Sequence, residues 1–159
     1  MTRPRKLVQD LKLPNIGASL IAHRDAAHKN QWYIYFFVPG PDGRYSPGVA
    51  VVSSSKVAKL VSNLKKAHQK MELLEREKYT GNFSEVFVLR GEVSDTLSVT
   101  VSSEKSHFLF WSHDAIRLSF LLSSRINTFS KSFNSNNVRT IIDTLSSAED
   151  LASKLIRQL

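Results

Sequence analysis

Residues 31–38 read QWYIYFFV, and the turn-rich stretch PGPDGRYSPG follows at residues 39–48. A run of aromatic and β-branched residues bounded by such a turn predicts a β-strand. Because side chains alternate along a strand, one face receives the residues that we assign to the core, Trp32, Ile34, Phe36 and Val38. The other face receives Tyr33, Tyr35 and Phe37, and what those rings contact is the first functional question that the sequence raises.

The segments on either side of this run extend it into an antiparallel meander. NIGASLIAHR at residues 15–24 alternates loosely and predicts a preceding strand, and RYSPGVAVV at residues 44–52 predicts a following one. Pro47 indicates that the last of these strands is an edge strand or carries a bulge. Residues 1–13 are rich in Lys and Arg, and we interpret them as a basic N-terminal arm.

Beyond residue 53 the apolar period changes to that of a helix, which predicts a long amphipathic helix over roughly residues 54–78 with a serine N-cap. Four strand-like runs follow from Gly81, and they read FSEVFVLRGEV, TLSVTVSS, HFLFWS and AIRLSFLLSS. A flexible Ser/Asn-rich loop is expected over residues 125–137, and a terminal helix follows in which Ser147 offers a new N-cap. This order predicts the α+β class, with two antiparallel β-meander sheets each followed by a helix in one domain over residues 1–159.

The composition favours a polyanionic partner. Lys and Arg number 22 against 14 acidic residues, which gives a formal net charge of +8; nucleic acid is the commonest partner of such a chain and an anionic membrane surface the second. The sequence has no cysteine, so disulfides, thiolate-bound zinc and a thiol nucleophile are excluded. No apolar segment approaches the ~18 residues of a membrane span, and MTRPRKLV is basic but too short for a targeting peptide.

Motifs of catalysis are absent from the sequence. It contains no Walker or dinucleotide-type glycine loop, no GxSxG elbow and no HExxH. His23 and His28 lie five residues apart in and after a predicted strand, so they share no helical face for a metal. We therefore expect no enzymatic activity, no metal and no cofactor.

Basic residues at strand ends and on strand faces are the candidate contacts to RNA, and they are Arg24, Lys29, Arg44, Arg90, Lys105 and Arg117. On one common surface they would meet the phosphates of an extended strand, whereas scattered they would be ordinary solvated charges. Tyr33 and Tyr35 are further candidates, which either stack on bases or pack as half-buried cross-strand residues. The sequence lacks the RNP pattern of the RRM and the GXXG loop of the KH domain.

The layout of meander, long helix, four-stranded meander, Ser/Asn-rich loop and terminal helix on a basic chain resembles the Whirly fold over residues 15–159. Within that family its element order, length and charge make it similar to the kinetoplastid mitochondrial guide-RNA-binding proteins. NIGASLIAHR does not match the KGKAAL stretch with which the plant branch contacts single-stranded DNA. The resemblance implies a duplicated ββββα arrangement, a heterotetramer with a related subunit, and single-stranded nucleic acid laid across the sheets. It also implies a mitochondrial location.

The leading hypothesis is a sequence-independent RNA-binding protein that holds the phosphate backbone of guide RNA and promotes its annealing with pre-mRNA during mitochondrial RNA editing. Its implied partners are single-stranded RNA and a homologous subunit, without a membrane. One alternative is a single-stranded DNA-binding transcription or genome-maintenance factor. Another is a structural subunit of a larger protein assembly, which would bind protein through its helices.

Overall fold

The computed structural model describes residues 5–27, 29–37, 50–77, 83–90, 96–108, 111–123 and 128–159, with the side chains of the second sheet described at Glu85, Val101, Leu118 and 131–133. Within these residues the elements are, in chain order, β1 (Lys6–Leu13), β2 (Ile16–Arg24), β3 (Asn30–Phe37), β4 (Ala50–Ser53), α1 (Ser54–Arg76), β5 (Phe83–Arg90), β6 (Thr96–Phe108), β7 (Trp111–Ser123), β8 (Thr128–Phe133), α2 (Ser135–Ser146) and α3 (Ala148–Arg157). The predicted α+β class with antiparallel strands is confirmed.

The first sheet has the strand order β1-β2-β3-β4, and every neighbouring pair is antiparallel. Its centre is a cross-strand row in which Leu20 pairs with Ile34 and Ile34 with Val52. All three side chains are buried, as is Phe36 one row further along. The core face predicted for QWYIYFFV is therefore confirmed at Ile34 and Phe36, Trp32 packs at the border of the same core, and Val38 lies outside the described residues.

The prediction of a basic arm over residues 1–13 requires correction, because Lys6–Leu13 form β1 and pair with β2 over their whole length. The physical reason is that apolar residues recur at every second position of this segment, a pattern that the lysines between them make less apparent. Leu11 is buried, and Leu7 and Leu13 pack against the same core at a spacing of two residues. The segment remains basic, but its backbone belongs to the sheet.

Helix α1 supplies the stripe that covers both sheets. Its buried residues recur at helical spacing, and they are Val57, Leu60, Leu64, Ala67, Met71 and Leu74. The helix contacts strands of the first sheet and strands β5, β6 and β7 of the second. Ser53 occupies the N-cap position as predicted, but its hydroxyl lies 3.1 Å from that of Ser55 and makes no capping hydrogen bond.

The second sheet has the order β5-β6-β7-β8 and is also antiparallel. Val101 pairs with Leu118 and Leu118 with Phe133, and all three side chains are buried in the core shared with the first sheet. HFLFWS was predicted as a separate strand, and this is wrong for its described residues: His107 and Phe108 end β6, Trp111 and Ser112 begin β7, and Phe108 pairs with Trp111. Residues 109–110 lie outside the described residues.

The flexible loop predicted over residues 125–137 is also wrong where the structure describes it. Thr128–Phe133 form β8, which pairs with β7, and α2 begins at Ser135. Serine and asparagine suggested a loop, but TFSKSF alternates, and that alternation buries Phe133. Asn134 between the two elements is the N-cap of α2, and its side chain accepts a hydrogen bond of 2.9 Å from the backbone N–H of Asn137.

The terminal helical region divides at the predicted position. Helix α2 ends at Ser146, and Ser147 separates it from α3, which begins at Ala148. Helix α2 packs on α1 and on strands of both sheets, whereas α3 packs on β2 and β3. The helices thus cover the side of the first sheet that carries Leu20, Ile34 and Val52 and join it to the second sheet in one core.

Candidate functional site

The side of the first sheet that faces away from the helices is the strongest candidate site. We call it the outer face, and register places on it Lys6, Val8, Asp10 and Lys12 of β1, Gly17, Ser19, Ile21 and His23 of β2, Gln31, Tyr33, Tyr35 and Phe37 of β3, and Val51 and Ser53 of β4. These positions alternate along each strand with those on the helix side, and all of them are exposed or partly exposed except Ser19 and Ile21, which are buried. No described helix packs on this side of the sheet: the buried positions that the helices cover all belong to the other.

Aromatic rings form a band across the outer face. Tyr33, Tyr35 and Phe37 follow one another along β3 at alternate positions, and each is partly exposed. The rings of Tyr35 and Phe37 lie with centroids 5.9 Å apart, and the ring of His23 meets that of Tyr33 at 5.7 Å in an edge-to-face contact. Such a band offers both apolar ring surface and hydrogen-bonding groups to a flat ligand.

The band has a fixed position because Phe37 lies over a glycine. A Cβ atom built on Gly17 would lie 2.2 Å from Cε2 of Phe37, so the ring occupies the space that any other residue would fill. Glycine in a strand lets another group approach the backbone closely. The close approach brings Phe37 down onto β2 and holds one end of the aromatic band against the sheet.

Lysines border the band on β1. Lys6 pairs with His23, and Lys12 pairs with Gly17, beneath the ring of Phe37. Both lysines are exposed, and their six-residue separation along the strand corresponds to about 20 Å. Cations at both ends of an aromatic band are the combination that binds single-stranded nucleic acid, since rings stack on bases while ammonium groups attract phosphates.

Between the lysines lies one acidic position. Asp10 accepts a hydrogen bond of 2.8 Å from the hydroxyl of Ser19, which is buried to 5% exposure. The bond satisfies a serine that the neighbouring side chains cover. Asp10 would repel a phosphate at this point, so an anionic strand crossing the outer face is directed towards β3 and away from the middle of β1.

Arg24, a predicted contact, belongs to the opposite side of the sheet. It shares its row with Asn30, next to the row of Ala22 and Trp32 on the helix side. Its guanidinium donates 2.8 Å to the backbone carbonyl of Leu159 and 3.1 Å to the side-chain oxygen of Asn30. The position and these bonds describe an arginine that ties the end of the terminal helical region to β2.

Lys29 lies in the β2–β3 connection, which Asp25 organises. One carboxylate oxygen of Asp25 accepts from the backbone N–H groups of Ala27 and Lys29 at 2.9 and 2.8 Å, and the other accepts from the Gln31 side chain at 3.2 Å. Local bonds of this kind stabilise a tight turn. The turn leaves the Lys29 side chain exposed at the end of the sheet.

The other predicted residues divide between two register sets of the second sheet. Arg117 pairs with Ser102 and Arg90 with Thr96, so both belong to the set that alternates with the buried Val101 and is rich in Ser and Thr. Lys105 lies within β6, in the other register set, and pairs with Asp114. Arg44 lies outside the described residues.

The structure therefore places the predicted contact residues on several different surfaces. Tyr33 and Tyr35 share the outer face with Lys6 and Lys12, which the sequence prediction left in the arm. The missed signal was the alternation of β1, which assigns its lysines to the face opposite its leucines.

A separate groove of about 1000 Å³ runs between α1 and the α2–α3 junction. Its lining includes Trp32 at the sheet end, Lys65 and Lys66 of α1, and Glu149 of α3. The opposed charges make it a mixed polar cleft, so it lacks the single sign expected of a site for a polyanion.

Among the described residues, no group of three or more His, Cys, Asp or Glu side chains is placed to hold a metal ion. No described helix is both long and apolar enough to cross a membrane. In comparisons with known proteins, no family model and no curated protein sequence matches the chain.

Proposed function

We propose that this protein binds single-stranded RNA without sequence preference and promotes the annealing of complementary strands. The observation that carries the proposal is the outer face, where the aromatic band of β3 is bordered by Lys6 and Lys12 on a chain of net charge +8. Rings accept any base, because every base has a π-face, and lysines accept any phosphate, so this chemistry carries little sequence discrimination.

The aromatic band gives Tyr33 and Tyr35 a larger role than core packing alone would require. Both lie on the side of the sheet that the described helices leave uncovered, and both remain partly exposed. Stacking on such rings contributes about 1–3 kcal/mol per base. In this proposal the band holds one segment of the strand while the rest stays available for pairing.

Residues of the second sheet support additional contacts to the phosphate backbone of the RNA. Arg90 and Arg117 fall in the same register set as Thr96 and Ser102, and hydroxyl and guanidinium groups are common phosphate ligands. Backbone contacts of this kind leave base edges free. A protein that binds the phosphates of an RNA strand can leave its bases exposed. Such a protein accelerates annealing because it concentrates the strands and screens their mutual repulsion.

The resemblance to the Whirly fold supplies the proposed setting. In that arrangement the two sheets would be duplicated ββββα units, the chain would assemble with a homologous subunit into a heterotetramer, and the RNA would be guide RNA paired with pre-mRNA in a mitochondrion. The order of four antiparallel strands and a helix, followed by four more strands and a helical region, is compatible with this assignment.

The test is fluorescence anisotropy with a labelled single-stranded RNA, using Tyr33→Ala and Tyr35→Ala. Each substitution should weaken binding roughly 5- to 150-fold, which corresponds to the loss of about 1–3 kcal/mol of stacking. Tyr33→Phe and Tyr35→Phe are matched controls that keep the ring and should bind nearly as wild type. A strand-annealing assay with two complementary labelled RNAs should show the same ranking.

A charge comparison tests the electrostatic half of the proposal. The double substitution of Lys6 and Lys12 by Gln should lower the salt dependence of binding, whereas the same change at Lys59 and Lys154, exposed on α1 and α3, should not. In direct competition, tighter binding to DNA than to RNA of the same length would favour the single-stranded DNA-binding alternative. Absence of salt-dependent binding to either nucleic acid would refute the proposal and favour the structural subunit.

A further inference from the structure

The open edge of the first sheet is the feature that carries a further inference. β1 pairs with β2 on one side, and no described strand pairs with its other side. The backbone N–H of Arg24 donates 2.9 Å to the carbonyl of Arg5, so Arg5 belongs to the residues of this segment that bond to β2. In an antiparallel ladder, residues that bond to the neighbouring strand alternate with residues whose backbone groups point away from it. The backbone groups of Lys6, Val8, Asp10 and Lys12 therefore point to the open edge.

The side chains of this edge combine one exposed apolar residue with opposite charges. Val8, in the middle of β1, is 55% exposed, the higher of the two large exposed hydrophobics among the described residues. Lys6 and Asp10 flank it at equal distances along the strand and on the same outer face. A strand edge with unpaired backbone groups is a template for another strand unless side chains block it.

We propose that β1 pairs antiparallel with β1 of a second copy of this chain, on a two-fold axis that passes through Val8. In this register Val8 lies opposite Val8 of the second copy, which buries both. Lys6 lies opposite Asp10 of the second copy, and the reverse pair follows from the symmetry. Opposite charges directly across a strand pair stabilise it, and like charges destabilise it.

Other symmetric registers are less favourable. An axis through Gln9 places Lys6 opposite Lys12, and an axis through Asp10 places two carboxylates opposite each other. An axis through Leu11 brings Asp10 to Lys12 but sets Val8 against Pro14, which has no N–H to donate. A slip by one residue turns the apolar side of one strand to the polar side of the other. Of these registers, the axis at Val8 is the one that both pairs opposite charges and buries Val8 against Val8.

The pairing joins two four-stranded sheets into one continuous sheet of eight strands, with both outer faces on the same side. This inference does not rest on RNA binding, because it depends on the edge of β1 alone. Where RNA does bind, the two joined outer faces would double the length of RNA that one assembly can hold.

The experiment is analytical ultracentrifugation of the full chain without nucleic acid, comparing wild type with Lys6→Asp and Asp10→Lys. Each single variant places like charges opposite each other twice, and its dimerisation Kd should rise about ten-fold or more. An equimolar mixture of the two variants should dimerise again, since Asp at position 6 of one chain then faces Lys at position 10 of the other. Lys59→Asp, on an exposed position of α1, should behave as wild type.

Val8→Lys provides a second variant, with Val8→Ile as its matched control. Val8→Lys should dissociate the assembly while circular dichroism and the unfolding midpoint stay near wild type, because Val8 is exposed in the single chain. Val8→Ile should leave the Kd unchanged. A monomeric wild type, single charge variants that assemble like wild type, or a mixture that stays dissociated would each overturn the proposed pairing.

Discussion

Gly17→Ala should destabilise the protein by about 1 kcal/mol, and the cause should be the ring of Phe37. The new Cβ would lie 2.2, 2.5 and 2.6 Å from three carbons of that ring, whereas carbon atoms pack at about 3.5–4.0 Å. The ring must therefore retreat by roughly 1.5 Å. Overpacking of this kind costs about 1–3 kcal/mol, and alanine returns about 0.5–1 kcal/mol by restricting the unfolded chain. Phe37 is partly exposed and can swing outward, which favours the lower values.

Urea denaturation of a double-mutant cycle measures this cost. In a Phe37→Ala background the obstacle is absent, so adding Gly17→Ala should be neutral or slightly stabilising, and the coupling between the two positions should be about 1 kcal/mol or more. Gly17→Ala should also weaken RNA binding, because it displaces one end of the aromatic band. An equal effect of Gly17→Ala in both backgrounds would refute the role assigned to the ring.

Three further experiments test the fold and the roles of single residues. Leu64→Ala, fully buried in α1, should cost about 2–5 kcal/mol, whereas Leu73→Ala on the same helix, 37% exposed, should cost far less in the same denaturation experiment. Arg24→Gln should lower stability by about 1 kcal/mol through loss of its bond to the Leu159 carbonyl, with no change in the salt slope of RNA binding; a reduced slope would return it to the RNA contacts. Asn134→Ala should cost about 1 kcal/mol in thermal unfolding by removing the cap of α2, and an unchanged midpoint would contradict that role.

Local patterns predicted the parts of the fold that depend on local geometry. The burial of Ile34 and Phe36 follows from strand alternation. The break was predicted at Ser147, but the Ser147 hydroxyl donates to the Asp143 carbonyl and makes no capping hydrogen bond to α3. β8 was missed because it lies in a segment whose Ser and Asn content is typical of loops, although Phe129 and Phe133 fall on the same face of the strand. Its pairing with β7 supplies the backbone bonds that make it a strand, and that pairing is not visible in the segment itself.

The candidate site was predictable only in part, for a similar reason. Alternation along β3 correctly separated Tyr33 and Tyr35 from the core. Arg24 was interpreted as a free cation at a strand end, but its partner is the carbonyl of Leu159, 135 residues away in the chain. No local sequence pattern predicts so distant a contact. Lys6 and Lys12 were noted for their charge alone, although the alternation of β1 puts them opposite its leucines; pairing with β2 then identifies that side as the outer face.

The packing of α3 on β2 and β3 has a consequence for biosynthesis. The two strands are complete by residue 37, but the helix that covers them begins at Ala148. At ordinary elongation rates of ~5–20 residues per second, those strands wait roughly 6–22 s for their cover. Until then the part of β2 and β3 that α3 covers stays exposed in the nascent chain, although α1 already packs on β3. A chain that lacks the last dozen residues should therefore leave β2 and β3 without the helix that packs on them. We expect such a chain to aggregate.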